Sequence, residues 1–156
     1  MLIYIIEDNY LKTSKLLSFF SEHCPQLSEP LVYSSFHSGL KAIEELAPAL
    51  VVLDMTLPTF DRKPNSREGR ARPLGGYDLM RKMVLKKIHS KVVVVTQLES
   101  FGEGDEEVSF GDITSRCERE FSDIFLGSVY FDQSGTSWGK QLQSIVKPAL
   151  GMDSKC

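Results

Sequence analysis

Short, mainly apolar runs alternate along this chain with longer stretches in which apolar residues recur every three or four positions. The runs are Leu2–Ile6, Leu31–Ser35 after Pro30, Leu50–Leu53, Val92–Val95 and Leu126–Phe131. Runs this short and rich in β-branched residues predict buried strands. Between them, a helix begins near Asn9, carries Leu16, Leu17, Phe19 and Phe20, and closes at Cys24-Pro25, because a residue before proline avoids the helical region. Ser38 is expected to cap a helix bearing Leu40, Ile43 and Leu46, with Pro48 ending it. A third helix places Tyr77, Met80, Met83 and Val84 on one face, and a fourth covers Ile113–Phe121. Trp138, Leu142, Ile145 and Val146 predict a last helix over Ser137–Lys147. Regular strand–helix alternation predicts an α/β fold: a doubly wound, five-stranded parallel sheet in the order 2-1-3-4-5 with helices on both faces. Two long polar segments, 59–76 and 97–112, interrupt the alternation. The expectation is a single domain over residues 1–150 with a short tail at 151–156.

Carboxylates stand where two of the predicted strands end. Glu7-Asp8 follows the first run and Asp54 follows the third. In an open α/β sheet, ligands gather outside the carboxyl ends of the strands, where the strand order reverses. Three like charges brought together there repel and call for a cation, and hard oxygen ligands favour Mg²⁺. A competing reading makes Glu7 a charge at a helix N-terminus and Asp8 or Asn9 its cap. Composition narrows the remaining classes. With 42% hydrophobic and 25% charged residues and a net charge of −3, the chain is of ordinary globular type without general attraction for nucleic acid or anionic lipid. Cys24, Cys117 and Cys156, with His23, His37 and His89, show no zinc-ligand spacing, which predicts free thiols and a cytoplasmic protein. No apolar run or N-terminal pattern predicts a membrane span or a signal peptide.

In order along the chain, Ile5-Ile6-Glu7-Asp8-Asn9, Val51 to Pro58 around Asp54, Gly76-Tyr77-Asp78-Leu79-Met80 and Val92-Val93-Val94-Val95-Thr96 resemble the receiver domain of two-component response regulators. The resemblance covers essentially the whole chain and implies a flavodoxin-like fold. It implies Asp54 as phosphoacceptor, taking a phosphoryl group from a histidine kinase or phosphotransfer protein. It further implies Mg²⁺ held by Glu7, Asp8, Asp54 and the Met55 backbone carbonyl, with Thr96 and Tyr130 as switch residues. Such a chain is a signalling domain rather than an enzyme, capable at most of dephosphorylating itself. Its output passes to a separate downstream protein.

One residue departs from the family pattern. The family's lysine, three residues after the switch aromatic, falls here on Gln133, which donates a neutral hydrogen bond but brings no positive charge. Lys147-Pro148 is too near the end of the last helix to replace it. Arg62, Lys63, Arg67, Arg70 and Arg72 form a basic segment after the third strand, and one of its arginines is an expected source of the missing charge. The acidic segment carrying Glu99, Glu103, Asp105, Glu106, Glu107 and Asp112 remodels a surface that many receivers use for partners. The alternative function is a pseudo-receiver, an interaction module without phosphotransfer. A phosphohydrolase of the haloacid-dehalogenase kind is disfavoured because Thr56 stands where that family has a second aspartate. A nucleotide-binding flavodoxin-like domain is disfavoured because no glycine-rich loop follows Ile6. DNA binding through the basic segment is weakly supported in an acidic protein.

Overall fold

The computed structural model of the protein describes residues 1–61 and 71–152. The basic residues Arg62, Lys63, Arg67 and Arg70, with Glu68, lie outside the described residues, as does Cys156. In chain order the elements are β1 (Ile3–Ile6), α1 (Tyr10–His23), β2 (Leu31–Tyr33), α2 (Phe36–Glu45), β3 (Leu50–Leu53), α3 (Gly75–Leu85) and β4 (Lys91–Thr96). A small hairpin of β5 (Ser100–Phe101) and β6 (Val108–Ser109) follows, and then α4 (Phe110–Glu120), β7 (Phe125–Tyr130) and α5 (Ser137–Ala149).

The five main strands form one parallel sheet in the order β2-β1-β3-β4-β7, which is the predicted order. Alternate side chains of the sheet feed two separate cores. Tyr4, Ile6, Val51, Leu53, Val92 and Val94 pack against α2, α3 and α4. Ile3, Ile5, Val52, Val93, Val95 and Val129 pack against α1 and α5. Both faces of β1, β3 and β4 are thereby buried, which explains why their sequences read as continuous apolar runs rather than alternations. The chain reverses its winding direction between β1 and β3, so the carboxyl ends of those strands open onto the crevice.

Several local expectations need correction. Ser35, not Ser38, caps α2: its hydroxyl accepts the Ser38 N–H at 3.1 Å, and Ser38 returns a bond to the Ser35 N–H at 3.3 Å. The pair forms a reciprocal capping box, so Ser38 is the third helical residue and β2 stops at Tyr33. On α3 the buried face is Leu79, Met80 and Met83, while Val84 faces solvent. The last helix continues two residues past Lys147, accommodating Pro148 in its final turn. The segment 97–112 is not only loop. Phe101 pairs with Val108 across the hairpin and is buried in the α4-side core, which anchors the acidic turn that follows it. Gly102 and Gly104 turn the chain there with φ of 86° and 61°, values at which a side chain would be strained.

Candidate functional site

Asn9 settles how the first acidic pair is used. Its side chain accepts the Lys12 N–H at 3.0 Å and caps α1, so the cap function falls on Asn9 rather than on Asp8. Glu7 is fixed by its own N–H, which donates to the Tyr33 carbonyl at 2.9 Å as an extension of the β1–β2 ladder. Asp54 is fixed in the same way on the other side of β1, its N–H donating to Ile6 O at 3.0 Å. The two backbone bonds bring Glu7, Asp8 and Asp54 to one point, where one carboxylate oxygen from each lies within 4.8 Å of the others. Glu7 is buried, Asp54 half-buried and Asp8 exposed, so the cluster is open on the Asp8 side.

The cluster also contains a cation absent from the sequence-based expectations. Lys12, one turn into α1, is 1% exposed. Its ammonium lies 3.3 Å from Glu7 Oε1 and 3.3 Å from Asp54 Oδ1, and it donates to the Val95 carbonyl at 2.6 Å. β3 ends opposite Val94, so the Val95 carbonyl overshoots its neighbour strand and Lys12 takes the place of a ladder partner. Three oxygens thus surround the ammonium, which is what a buried lysine requires. The signal in the sequence was its position four residues before Leu16, in register with the apolar stripe of α1: a charged residue where the helix buries its face.

Glu7 is strongly perturbed at this site. Burial and the neighbouring Asp54 charge push its carboxyl up to about 9, outweighing the opposing pull of Lys12. Its second oxygen, Oε2, is buried and has no hydrogen-bond donor among the described residues. As a carboxylate, that atom needs either a proton or a cation. The donor set around it is oxygen only, as Mg²⁺ prefers, and one side is open for the waters that Mg²⁺ retains. The residues therefore fit a divalent cation.

The remaining expected residues lie around this centre in different ways. The Met55 carbonyl accepts the Gly76 N–H at 2.8 Å, so one of its two lone pairs is already committed to α3. The contact depends on glycine, since a Cβ at position 76 would sit 2.5 Å from the Asp54 carbonyl oxygen. Thr96 is buried at the end of β4 and its hydroxyl accepts the Leu98 N–H at 3.3 Å. Tyr130 pairs with Thr96 in the sheet register but is 39% exposed, its ring edge-on to Phe110 at 6.2 Å. Gln133 turns to Gln97, donating to its side-chain oxygen at 3.2 Å in an exposed pair. Arg72 is the described member of the basic segment, and its guanidinium stacks on Phe36 at 4.2 Å and pairs with Asp78 at 3.3 Å.

Comparison with known proteins agrees with this architecture. No family model matches the chain. The chain is similar to the receiver domain of NtrX from Brucella abortus, with a TM-score of 0.58 at 18% identity over 97% of this chain and 99% of that one. It is similar also to the N-terminal domain of a response regulator/sensory box/GGDEF protein from Carboxydothermus hydrogenoformans, with a TM-score of 0.60 at 18% identity, covering 97% and 94%. These likenesses concern the fold. The sequence itself is 30% identical over 144 residues to the Detocs response regulatory protein DtcB of Enterobacter cloacae, spanning 91% of this chain and 95% of the relative. With that identity running nearly end to end in both sequences, and with the acidic residues of β1 and β3 meeting at the crevice of a receiver fold, the chain belongs to the response-regulator receiver family.

Proposed function

We propose that Asp54 is the phosphoacceptor of a phosphorelay, taking a phosphoryl group from a phosphohistidine on a histidine kinase or phosphotransfer protein. The observation that carries this reading is the convergence of Glu7, Asp8 and Asp54 around a buried oxygen that lacks a donor among the described residues. A carboxylate oxygen of Asp54 forms a bond to phosphorus as the P–N bond breaks. The electron pair returns to the imidazole, which leaves neutral with a proton on its other nitrogen, and an acyl phosphate remains. Glu7, Asp8 and Asp54 would hold Mg²⁺, with the free lone pair of the Met55 carbonyl as a further ligand. When bound, the metal shields the charge of the phosphoryl oxygens.

Output in this reading passes through contacts with a separate protein. The Thr96 hydroxyl leaves the Leu98 N–H for a phosphoryl oxygen, and Tyr130 changes its packing on Phe110 in response. The name of the Enterobacter relative supports a role as the response-regulatory member of a Detocs-type system. No described helix is long and apolar enough to cross a membrane.

The test is intact mass after incubation with acetyl phosphate and Mg²⁺, for wild type and Asp54→Asn. Wild type should gain one phosphoryl group, and the variant, or wild type in chelator, none. A second reading has its own observation. Lys12 already partners Glu7 and Asp54, so a pseudo-receiver could hold its carboxylates together with an internal ammonium alone. Absence of any mass gain with either acetyl phosphate or phosphoramidate would establish that reading instead.

A further inference from the structure

We propose that Lys12, reaching in from α1, is the cationic catalytic group of the Asp54 site and supplies the charge that Gln133 does not. The inference rests on the phosphoacceptor reading of Asp54. Its basis is the ammonium's 3.3 Å approach to Asp54 Oδ1, an oxygen of the side chain that would form the new bond. A group that touches the nucleophile before reaction also lies beside the phosphoryl oxygens after it, where negative charge accumulates.

Three details favour a working group over a mere counter-ion. First, Lys12 uses Oδ1 of Asp54 and Oε1 of Glu7, leaving Glu7 Oε2 without a donor among the described residues. The ammonium and a divalent cation therefore take different oxygens of the same cluster and need not compete. Together they balance three carboxylates. Second, the ammonium is anchored by a backbone bond to Val95 O at 2.6 Å, so its position does not depend on the carboxylates alone. Val95 immediately precedes Thr96, so the same anchor ties the ammonium to the strand end that carries the hydroxyl expected to bind the phosphoryl group. Third, among the described residues the other candidates are engaged elsewhere: Gln133 with Gln97, and Arg72 with Phe36 and Asp78. Lys15, the next cation on α1, donates to the Gln133 carbonyl at 3.0 Å.

The experiment measures the rate of labelling by acetyl phosphate with Mg²⁺, by intact mass, for wild type, Lys12→Gln, Gln133→Lys and the double variant. Mg²⁺ affinity is measured by calorimetry in the same proteins without phosphodonor. Lys12→Gln should label at least about 30-fold more slowly while binding Mg²⁺ as tightly as wild type or more so, since a neighbouring positive charge is gone. Gln133→Lys on the Lys12→Gln background should recover at least tenfold of the loss, which a packing role for Lys12 would not allow. Gln133→Lys alone alters an exposed residue and stays informative even if Lys12→Gln does not fold. It should change the rate less than about threefold, because the site already holds its cation. Labelling of Lys12→Gln within threefold of wild type, failure of the double variant to recover, or a tenfold acceleration by Gln133→Lys alone would each overturn the proposal. Those results presuppose that wild type labels. If it does not, the phosphoacceptor reading itself fails, and the role of Lys12 in it falls with it.

Discussion

The raised carboxyl of Glu7 predicts a pH dependence of stability in the metal-free protein. That carboxyl is raised from an ordinary 4.5 to about 9 by burial first and by the Asp54 charge second. Between those values the folded chain holds a proton at Glu7 that the unfolded chain does not, so folding takes up to one proton. Stability then falls as pH rises, with a limiting slope of about 1.4 kcal/mol per pH unit for a single proton. The stabilising contribution is complete below the unfolded pKa and is lost as pH climbs through the folded one. From pH 6 to pH 8 the expected loss is therefore up to about 2.7 kcal/mol, a large share of the stability of a domain this size. Urea denaturation in chelator at half-unit pH steps measures the slope. Glu7→Gln, which keeps the shape and cannot titrate, isolates it from every other group. Saturating Mg²⁺ should flatten or reverse the slope, because the metal takes the oxygen the proton held and its binding strengthens as that proton leaves. A difference between wild type and Glu7→Gln below about 0.3 kcal/mol per pH unit, or one of opposite sign, would refute the assignment of the proton to Glu7, since the linkage slope for a full proton is about 1.4.

Other perturbations test separate features. Asp8→Ala should weaken Mg²⁺ binding at least about tenfold by calorimetry, because it removes the exposed charge of the oxygen set; unchanged binding would exclude the cluster as the metal site. Gly76→Ala should cost about 1–3 kcal/mol by denaturant titration, since the new Cβ would press on the Asp54 carbonyl, backbone that cannot easily move. Ser35→Ala should cost about 1 kcal/mol through loss of the α2 cap, and an equal or larger cost at Ser38 would contradict the assigned cap position.

How much was legible from sequence varied with how locally each feature is encoded. β3 and β4 were clear because burial on both faces makes a strand uniformly apolar, and the acid that ends β3 is then conspicuous. Strand order followed from alternation and crossover handedness. The cap of α2 was misplaced by three residues because Ser35 and Ser38 are the same residue type at the two ends of one capping box. The hairpin between β4 and α4 was missed because its segment is acidic and its fold depends on little apolar material, chiefly Phe101 and its partner Val108. Residues 62–70, whose arginines the sequence offers as a charge source, lie outside the described residues. Lys12 escaped notice for a different reason. The apolar stripe of α1 was followed from Leu16 onward, and a lysine is ordinarily assigned to solvent. Only the meeting of three separate elements, β1, β3 and β4, around its ammonium makes the position intelligible.

That meeting shows why the cation can come from α1. The helix starts directly after Glu7-Asp8, and its first turn lies over the strand edge from which those carboxylates project. A long side chain one turn in, at Lys12, therefore folds back to the crevice, its stem buried among apolar residues and its head among oxygens. The loop after β7 can reach the same crevice, but here its Gln133 joins Gln97 and so ties the loops that follow β7 and β4 to each other. The position of the charge, rather than the element that carries it, is what the chemistry requires. With the charge on α1, a phosphoryl group at Asp54 would act on the β4 and β7 loops through the Thr96 hydroxyl and the anchored Val95 carbonyl, not through an ion pair to the β7 loop. Gln97→Ala should then loosen the coupling between those loops, read as amide exchange at Leu98 and Ser134, while leaving the rate of Asp54 labelling unchanged. A loss of labelling in Gln97→Ala would show that the Gln97–Gln133 pair belongs to the chemistry after all.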